Sequence, residues 1–505
     1  MAKFLHGAEV LEIDTGPRPI QTVRSGVIGI VGTAPDAEGA TAATLTLGNA
    51  PSGTGITFTA AVAGTIGNNT RVRYVAPGEA LAVLAVAAEG NDITVTLATD
   101  AEGAVTSTAA EIIAAVNGSA EAGALVVAAL AEGSNGSGVA KARAFQSLSG
   151  GAAEPFPLNT PTLVAGSRTE AARLGTTGTL PAAMDGIFDQ VGAVVIVVRV
   201  EEGADDQATM ANVIGGVNAT TGDLEGLHAL AGAESVVGFS PRILCAPGFT
   251  HQRESGLRNA VVAEALGIAE RLRAVIVVDG PNTTDDAAQQ YANDWGSARV
   301  YMVDPWVQVM QRDGSYASEP PSARAAGIIA KIDNDLGFWW SPSNKPINGI
   351  VGTSRPVDFK LGDANSRANL LNEGGIATII RQDGYRLWGN RSLTDDTKWH
   401  FLSVRRTADM INDSIQRAHL WAVDRNITKT YVEDVTEGVN AYIAGLVAEG
   451  ALLGGRCWPD PGLNTPANIQ LGKVYFNFEF TPPYPAEHIT FRSMLVNDYV
   501  EEVFA

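Results

Sequence analysis

Unbroken apolar runs alternate with helical stripes through the middle of the chain. AVVIVVRV (193–200), PRILCAPG (241–248), AVIVVDGP (274–281) and ARVYMVDP (298–305) lack the polar alternation of a half-wetted strand. Strands of that kind are buried on both faces. Between them, SGLRNAVVAEALGIAERLR (255–273) sets Leu257, Val261, Ala265, Ile268 and Leu272 at helical spacing. A polar helix is predicted around 284–294, and PSARAAGIIAKIDNDLG (321–337) reads as another. Alternating strand and helix predicts a flavodoxin-like body, a parallel sheet covered on both faces.

The pattern changes in the last third. GIATIIRQDGYRLWGNRS (375–392) holds two strand-like runs joined at QDG, a hairpin signal. SVRRTADMINDSIQRAHLWAV (403–423) places Val404, Ala408, Ile411, Ile415, Ala418 and Ala422 on one helical face, and TEGVNAYIAGLVAEGALLGG (436–455) is a second helix. KVYFNFEFTP (473–482) alternates Val474, Phe476, Phe478 and Phe480 against Lys473, Tyr475, Asn477 and Glu479, as a half-buried strand does. Strand-like pieces also lie at both tips, AEVLEID (8–14) and ITFRSMLV (489–496). Chain ends fray, and unpaired strands recruit other chains. Residues 1–36 are mostly extended around Pro17 and Pro19, with a buried strand at SGVIGIVGT (25–33). Twenty extended residues reach about 65–70 Å.

Composition shifts abruptly near Gly39. From 39 to 152 the chain is rich in Ala, Gly, Thr and Val, and its only aromatic residues are Phe58, Tyr74 and Phe145. TLTL (44–47), GITFTAAV (55–62), RVRYV (71–75), DITVTLAT (92–99), LVVAAL (125–130) and GVAKARAFQSL (138–148) read as strands. Thr108 and Glu111 form a capping box that opens one helix. The segment reads as a β-rich module inserted as a unit.

Composition and charge narrow the chemistry. The 505 residues carry 55 Asp and Glu against 35 Lys and Arg, a formal charge of −20. Such a surface repels nucleic-acid phosphates and anionic membranes, so neither is expected as a partner. No apolar run approaches the ~20 residues of a membrane span. MAKFLHGAEV lacks the apolar stretch of a signal peptide. Cys245 and Cys457 read as reduced structural thiols of a protein made in a cytoplasm. GVIGIVG (26–32) is not a dinucleotide fingerprint, and neither a P-loop nor a G-x-S-x-G elbow occurs. Asp279, Asp304 and Cys245 sit at strand ends, where sites on such sheets gather, but VDGP and VDPW are also ordinary strand-end turns. The WPD of Cys457–Asp460 lacks a matching thiolate cradle, because seven residues separate Cys245 from Arg253. The six histidines form no metal-binding pair. No cofactor, metal or catalytic residue is predicted.

HGAEVLEIDTGPRPIQTVRSGVIGIVGTAPDA at the start, AESVVGFSPRILCAPGF (233–249), INGIVGTSRPVDF (347–359), LLNEGGIATIIRQDGYRLWGNRSL (370–393), RRTADMINDSIQRAHLWAVDRNIT (405–428) and GKVYFNFEFTPPYPAEHITFRSMLVNDYV (472–500) form a set. Together they resemble stretches of contractile tail sheath proteins, those of long-tailed phages and of related bacteriocin particles. The resemblance covers 1–36 and 153–505, and 39–152 looks like an added decoration domain. It implies an α/β and α+β multidomain protein. The parts are an N-terminal arm and first body strand (1–36), an inserted β-rich domain (39–152), an α/β body (153–370), a C-terminal α+β assembly domain (371–490) and a C-terminal arm (491–505).

The resemblance implies a non-enzymatic subunit that stacks as six-fold rings in a helical tube around an inner tail tube. The tube contracts to drive the inner tube through a bacterial envelope. Its partners would be itself, the inner tail tube protein, the baseplate and the tail terminator, in a virion tail assembled in the host cytoplasm. Val10, Leu11, Glu12 and Ile13 would be the donated N-terminal strand, and Met494, Leu495, Val496, Tyr499, Val500, Val503 and Phe504 the C-terminal arm. Val474, Tyr475, Phe476, Asn477, Phe478 and Phe480 would form the acceptor strand. Charged side chains near 403–434 are candidates to face the inner tube. The alternatives are a phosphate- or nucleotide-using enzyme on the same body, an adhesin carrying a β-rich module, and a bacteriocin rather than a phage sheath.

Overall fold

A computed structural model describes residues 19–311, 313–497 and 499. The chain divides into two compact units. The larger runs to Pro35, takes up Leu158–Ala172 and continues from Thr176. Its centre is a six-stranded sheet in the order Val300–Val303, Val275–Asp279, Ile243–Cys245, Val27–Thr33, Val194–Val200, Thr162–Ala165. The first five strands are parallel, and Thr162–Ala165 joins antiparallel at the edge. All seven residues of Val27–Thr33 are buried, as the unbroken apolar run requires of a central strand.

Helices cover both faces. Asp206–Ile214, Leu227–Ala231, Ala260–Leu272 and Asp285–Ala292 share one core with Val31, Val198, Leu244, Ile276 and Met302. Leu180–Phe188 and Ser322–Asp335 pack together on the other face. The helix expected from 255 begins only at Ala260, because the Asn259 side chain accepts a hydrogen bond from Val262 N and caps it there. Leu257 is left outside the helix and exposed, so it does not belong to the apolar stripe.

Close approach explains Gly32 at the end of the central strand. A Cβ there would stand 2.3 Å from the Thr179 hydroxyl, which itself accepts a hydrogen bond from Thr33 N at 3.1 Å. Thr179 and Leu180, which opens the helix Leu180–Phe188, therefore pack directly against the end of that strand.

The 375–392 run forms the hairpin Thr378–Arg381 with Tyr385–Trp388. It is seated on the sheet edge by Ala377 N to Met302 O and Leu393 N to Val300 O, both 2.9 Å. Gly389 has φ +135, and its hypothetical Cβ would lie 2.7 Å from Ala377 Cα, so no other residue fits. Beyond the hairpin come the helices Leu402–Ala418 and Lys429–Ala448. A two-stranded antiparallel sheet follows, Gly454–Pro459 with Phe476–Thr481. Two strands alone are marginal in water. Here Cys457 shares a core with Met410, Ile411, Tyr442, Ile443 and Leu446 of the two helices, and Phe476, Phe478 and Phe480 pack against it.

The smaller unit spans Asp36–Pro157 with Arg173–Gly175. It pairs an antiparallel three-stranded sheet (Thr44–Leu47, Ile56–Ala60, Val126–Leu130) with a four-stranded one in the order Ala85–Glu89, Asp92–Thr96, Arg71–Val75, Arg143–Ser147. Helix Ala109–Gly118 carries the capping box at Thr108 and Glu111. Phe58, Val72, Ile93, Ile112 and Val126 belong to its separate core. Its entry and exit run side by side, joined by Thr41 N to Ala152 O at 2.9 Å and the reciprocal bond at 3.1 Å.

Candidate assembly surface

Cys457 fixes which edge of the two-stranded sheet is open. Its backbone N–H donates to Asn440 Oδ1 at 2.6 Å, and Asn440 Nδ2 donates to its carbonyl at 3.1 Å. Helix Lys429–Ala448 thus covers the outer edge of Gly454–Pro459, where Pro459 also lacks an N–H. The ladder bond from Asp460 N to Tyr475 O, 3.0 Å, sets the phase of the pairing. In an antiparallel ladder bonded and non-bonded pairs alternate. The phase turns the backbone groups of Phe476, Phe478 and Phe480 outward. Among the described residues that edge has no strand partner. Val474 and Tyr475, expected within the acceptor strand, precede it. Tyr475 N is taken instead by Asn464 Oδ1 at 2.8 Å, which ends the ladder. Asn477 stays in the strand and donates to Asp460 Oδ2 at 2.6 Å.

The chain after this strand has neither helix nor strand over 482–497. Among the described residues ITFRSMLV therefore forms no strand, since a strand requires a ladder partner and none of the described strands pairs with it. The tail is held as far as Glu487, which accepts two hydrogen bonds from Arg391 at 2.8 and 2.5 Å. The Tyr484 ring meets Phe401 at 6.3 Å between centroids. Past that anchor the apolar residues lie in the open: Phe491 is 91% exposed, Met494 86% and Leu495 98%. Ile489, Val496 and Tyr499 are also exposed. Val500, Val503 and Phe504, and at the other end Val10, Leu11, Glu12 and Ile13, lie outside the described residues.

Where the description begins, the incoming segment runs along the same helices. Thr22 Oγ1 meets the Tyr442 hydroxyl at 3.0 Å, and Val23 N donates to Ser414 Oγ at 3.0 Å. Ile20 and Val23 pack against the C-terminal core. A cavity of 450 Å³ opens between Pro19–Thr22 and the helix face of Gly438, Ala441 and Gly445.

Helix Leu402–Ala418 is welded to the parallel sheet by ion pairs. Arg299 grips Asp409 at 2.6 and 3.1 Å, and Arg405 adds a bond at 2.8 Å. Arg406 grips Asp333 at 2.6 and 2.5 Å. Buried Arg242 meets Asp413 and the Leu272 carbonyl. Arg417 bridges Asp413 at 2.7 Å and Glu234 at 2.5 and 2.7 Å. Desolvation pulls the Arg242 guanidinium below its usual range, while Asp413 pulls it back up. Arg405, Arg406, Asp409 and Asp413 are thus paired inside the subunit, whereas the Arg417–Glu234 pair stays at the surface. Sequence reading missed this weld, although Arg405/Asp409 and Asp413/Arg417 at i,i+4 were visible.

The strand-end acids are structural too. Asp279 is fully buried and accepts from Ser322 N (2.8 Å), Thr250 Oγ1 (3.0 Å) and Gly248 N (3.2 Å). Asp304 accepts from Asn282 N at 2.9 Å and pairs with Arg355. Burial pushes the Cys245 thiol up, away from thiolate chemistry. Among the described residues no group of three or more His, Cys, Asp or Glu is placed to hold a metal ion, and no helix is long and apolar enough to cross a membrane.

Residues 222–393 match the phage tail sheath protein central domain, and 394–495 the phage tail sheath C-terminal domain. Residues 142–200 match the N-terminal region of domain III of the tail sheath protein Gp18. That last match starts inside the 39–152 stretch that the sequence resemblance left out. A prophage major tail sheath protein of Pseudomonas aeruginosa (strain UCBPP-PA14) is 46% identical over 346 residues, 68% of this chain and 88% of that protein. The chain belongs to the contractile tail sheath family. The tail sheath protein of Escherichia phage P2 is 34% identical over 359 residues, 69% of this chain and 88% of that one. Among solved structures, the contracted sheath complex of the extracellular contractile injection system PVC aligns at TM-score 0.51 and 19% identity, covering 69% of this chain and 89% of that one. The contracted helical sheath of the anti-feeding prophage aligns at TM-score 0.51 and 22% identity, covering 67% and 88%. These alignments show a shared sheath fold, and the family is a structural one.

Proposed function

We propose that this sheath subunit polymerises as a helical tube of hexameric rings around an inner tail tube in a virion tail. The tube contracts to push the inner tube through the bacterial envelope. One observation carries the assembly mechanism: an apolar tail, exposed from Ile489 onward, follows a two-stranded sheet whose Phe476–Thr481 edge is open. Strand addition satisfies both, because the edge gains backbone hydrogen bonds and the tail buries its side chains. Head-to-tail exchange between identical copies that does not close on itself builds a helix of subunits. The N-terminal residues 1–18 supply the second tether. The flavodoxin-like body and the C-terminal helices move together, because the buried ion pairs between them resist separation. The inner tail tube meets the surface around Asp424, Arg425, Lys429, Glu433 and Asp434, the charges of 403–434 that lie outside the weld. Baseplate and tail terminator cap the tube's two ends. The 36–157 unit decorates the tube.

Truncation after Glu487 tests the reading. The shortened chain is expected to keep its circular dichroism and melting temperature, because the described residues it loses are exposed, and to form no tubes by negative-stain electron microscopy. Tubes of normal length from the truncated chain would remove the tail from the mechanism.

A further inference from the structure

The open edge of Phe476–Thr481 and the apolar tail that begins at Ile489 belong to one chain, separated only by residues 482–488. A linker that short holds the tail near its own edge at a roughly millimolar effective concentration. By that measure alone the tail would fold back and fill the edge of its own copy. Among the described residues it does not, since 482–497 forms no strand.

Two features oppose folding back. The linker reads PPYPAEH. Thr481, Pro482 and Tyr484 each precede a proline, which keeps them extended, and Pro482, Pro483 and Pro485 have no N–H to give to a ladder. Such a run disfavours a tight reversal. Its far end is then held at two points by one pair of residues. Arg391 and Phe401 face each other in an antiparallel bridge, laced by Ser392 N to His400 O at 2.7 Å and Leu402 N to Asn390 O at 3.0 Å. Phe401 meets the Tyr484 ring, and Arg391 donates to both carboxylate oxygens of Glu487 at 2.8 and 2.5 Å. Two holds on neighbouring turns of an extended run fix its direction as well as its position, and the guanidinium–carboxylate fork adds angular restraint. Ile489 and Phe491 follow the second hold and are exposed.

We propose that Arg391 and Glu487 form a clamp that keeps the tail off its own edge and so directs it to a neighbouring copy. Both are positioning residues, since neither lies in the edge strand or in the apolar tail. The inference rests on the strand-addition reading above. Exchange between copies and closure within one copy would satisfy the same edge with the same tail, so the geometry of the connection decides between them.

The test uses the full-length chain carrying Glu479→Cys in the edge strand and Ser493→Cys in the tail, both at exposed positions. Cys245 and Cys457 are buried and stay out of the reaction. A flexible bis-maleimide joins the introduced thiols. A denaturing gel with mass spectrometry then separates chains linked within one copy from ladders of linked copies. This parent is expected to give ladders. Adding Arg391→Ala, or separately Glu487→Gln, is expected to raise the share of chains linked within one copy by up to about fivefold, the scale of an exposed ion pair with good geometry. The swap Arg391→Glu/Glu487→Arg is expected to bring the ladders back. An unchanged share in both single variants, with ladders intact, overturns the inference and leaves strand addition standing. Links of both kinds falling together, without rescue by the swap, mark a merely structural role and also overturn it. A parent that gives no ladder, or links only within its own copy, removes the strand-addition reading and the clamp with it.

Discussion

Asp279 accepts three hydrogen bonds and still has its carboxyl pushed up to about 6, because desolvation outweighs the bonds from Ser322, Gly248 and Thr250. The sign of its pH effect follows. Between the ordinary aspartate range and pH 6 the folded chain holds a proton that the unfolded chain releases. Folding is then favoured as pH falls through that window. Relative to Asp279→Asn, the wild type is predicted to gain about 2 kcal/mol between pH 7.5 and 4.5, at about 1.36 kcal/mol per pKa unit. Urea unfolding of both proteins at the two pH values checks this. An unchanged difference would contradict it. The sequence marked Asp279 and Asp304 as strand-end acids. It could not distinguish a buried tie from a reactive group, because the donors Thr250, Gly248 and Ser322 lie 29, 31 and 43 residues away in the chain.

The weld between helix Leu402–Ala418 and the sheet belongs to the scale of elements. Asp409 is 2% exposed and accepts from Arg299 and Arg405. Asp409→Ala leaves Arg299, itself 6% exposed, without its main counter-charge. Removing one member of a buried pair costs about 3–5 kcal/mol. Thermal or denaturant unfolding is expected to show that loss, and a loss below about 1 kcal/mol would mean that Glu270 or water takes over. Elements with strong local signals were legible. RVRYV is a strand at Arg71–Val75, the Thr108 capping box opens a helix, and the QDG hairpin forms. Gly454–Pro459 was not legible: GGRCWP contains two glycines and a proline and pairs only because Phe476–Thr481 lies beside it. Helix Lys429–Ala448 starts seven residues before the apolar pattern at 436 does, because its cap is Thr428. At ITFRSMLV the composition favours a strand, and among the described residues no strand pairs with it.

At the scale of the molecule, adjacent entry and exit strands make the 36–157 unit removable in principle. Replacing residues 39–152 by a short glycine-serine linker is predicted to leave tube formation intact by negative stain. Failure of a folded, soluble variant to form tubes would show that the unit belongs to the assembly itself. The sequence revealed this unit through composition, a zone rich in Ala, Gly, Thr and Val. Its edges were harder to place, because Arg173–Gly175 returns to it after the chain has re-entered the body. The central claim is that neighbours complete the Phe476–Thr481 edge, and a cryo-EM helical reconstruction of tubes of the full-length chain tests it most directly. The account predicts continuous density in which residues beyond Glu487 of one copy run as a strand along Phe476–Thr481 of another. Tubes in which that edge stays empty, or is filled by the tail of the same copy, would contradict it.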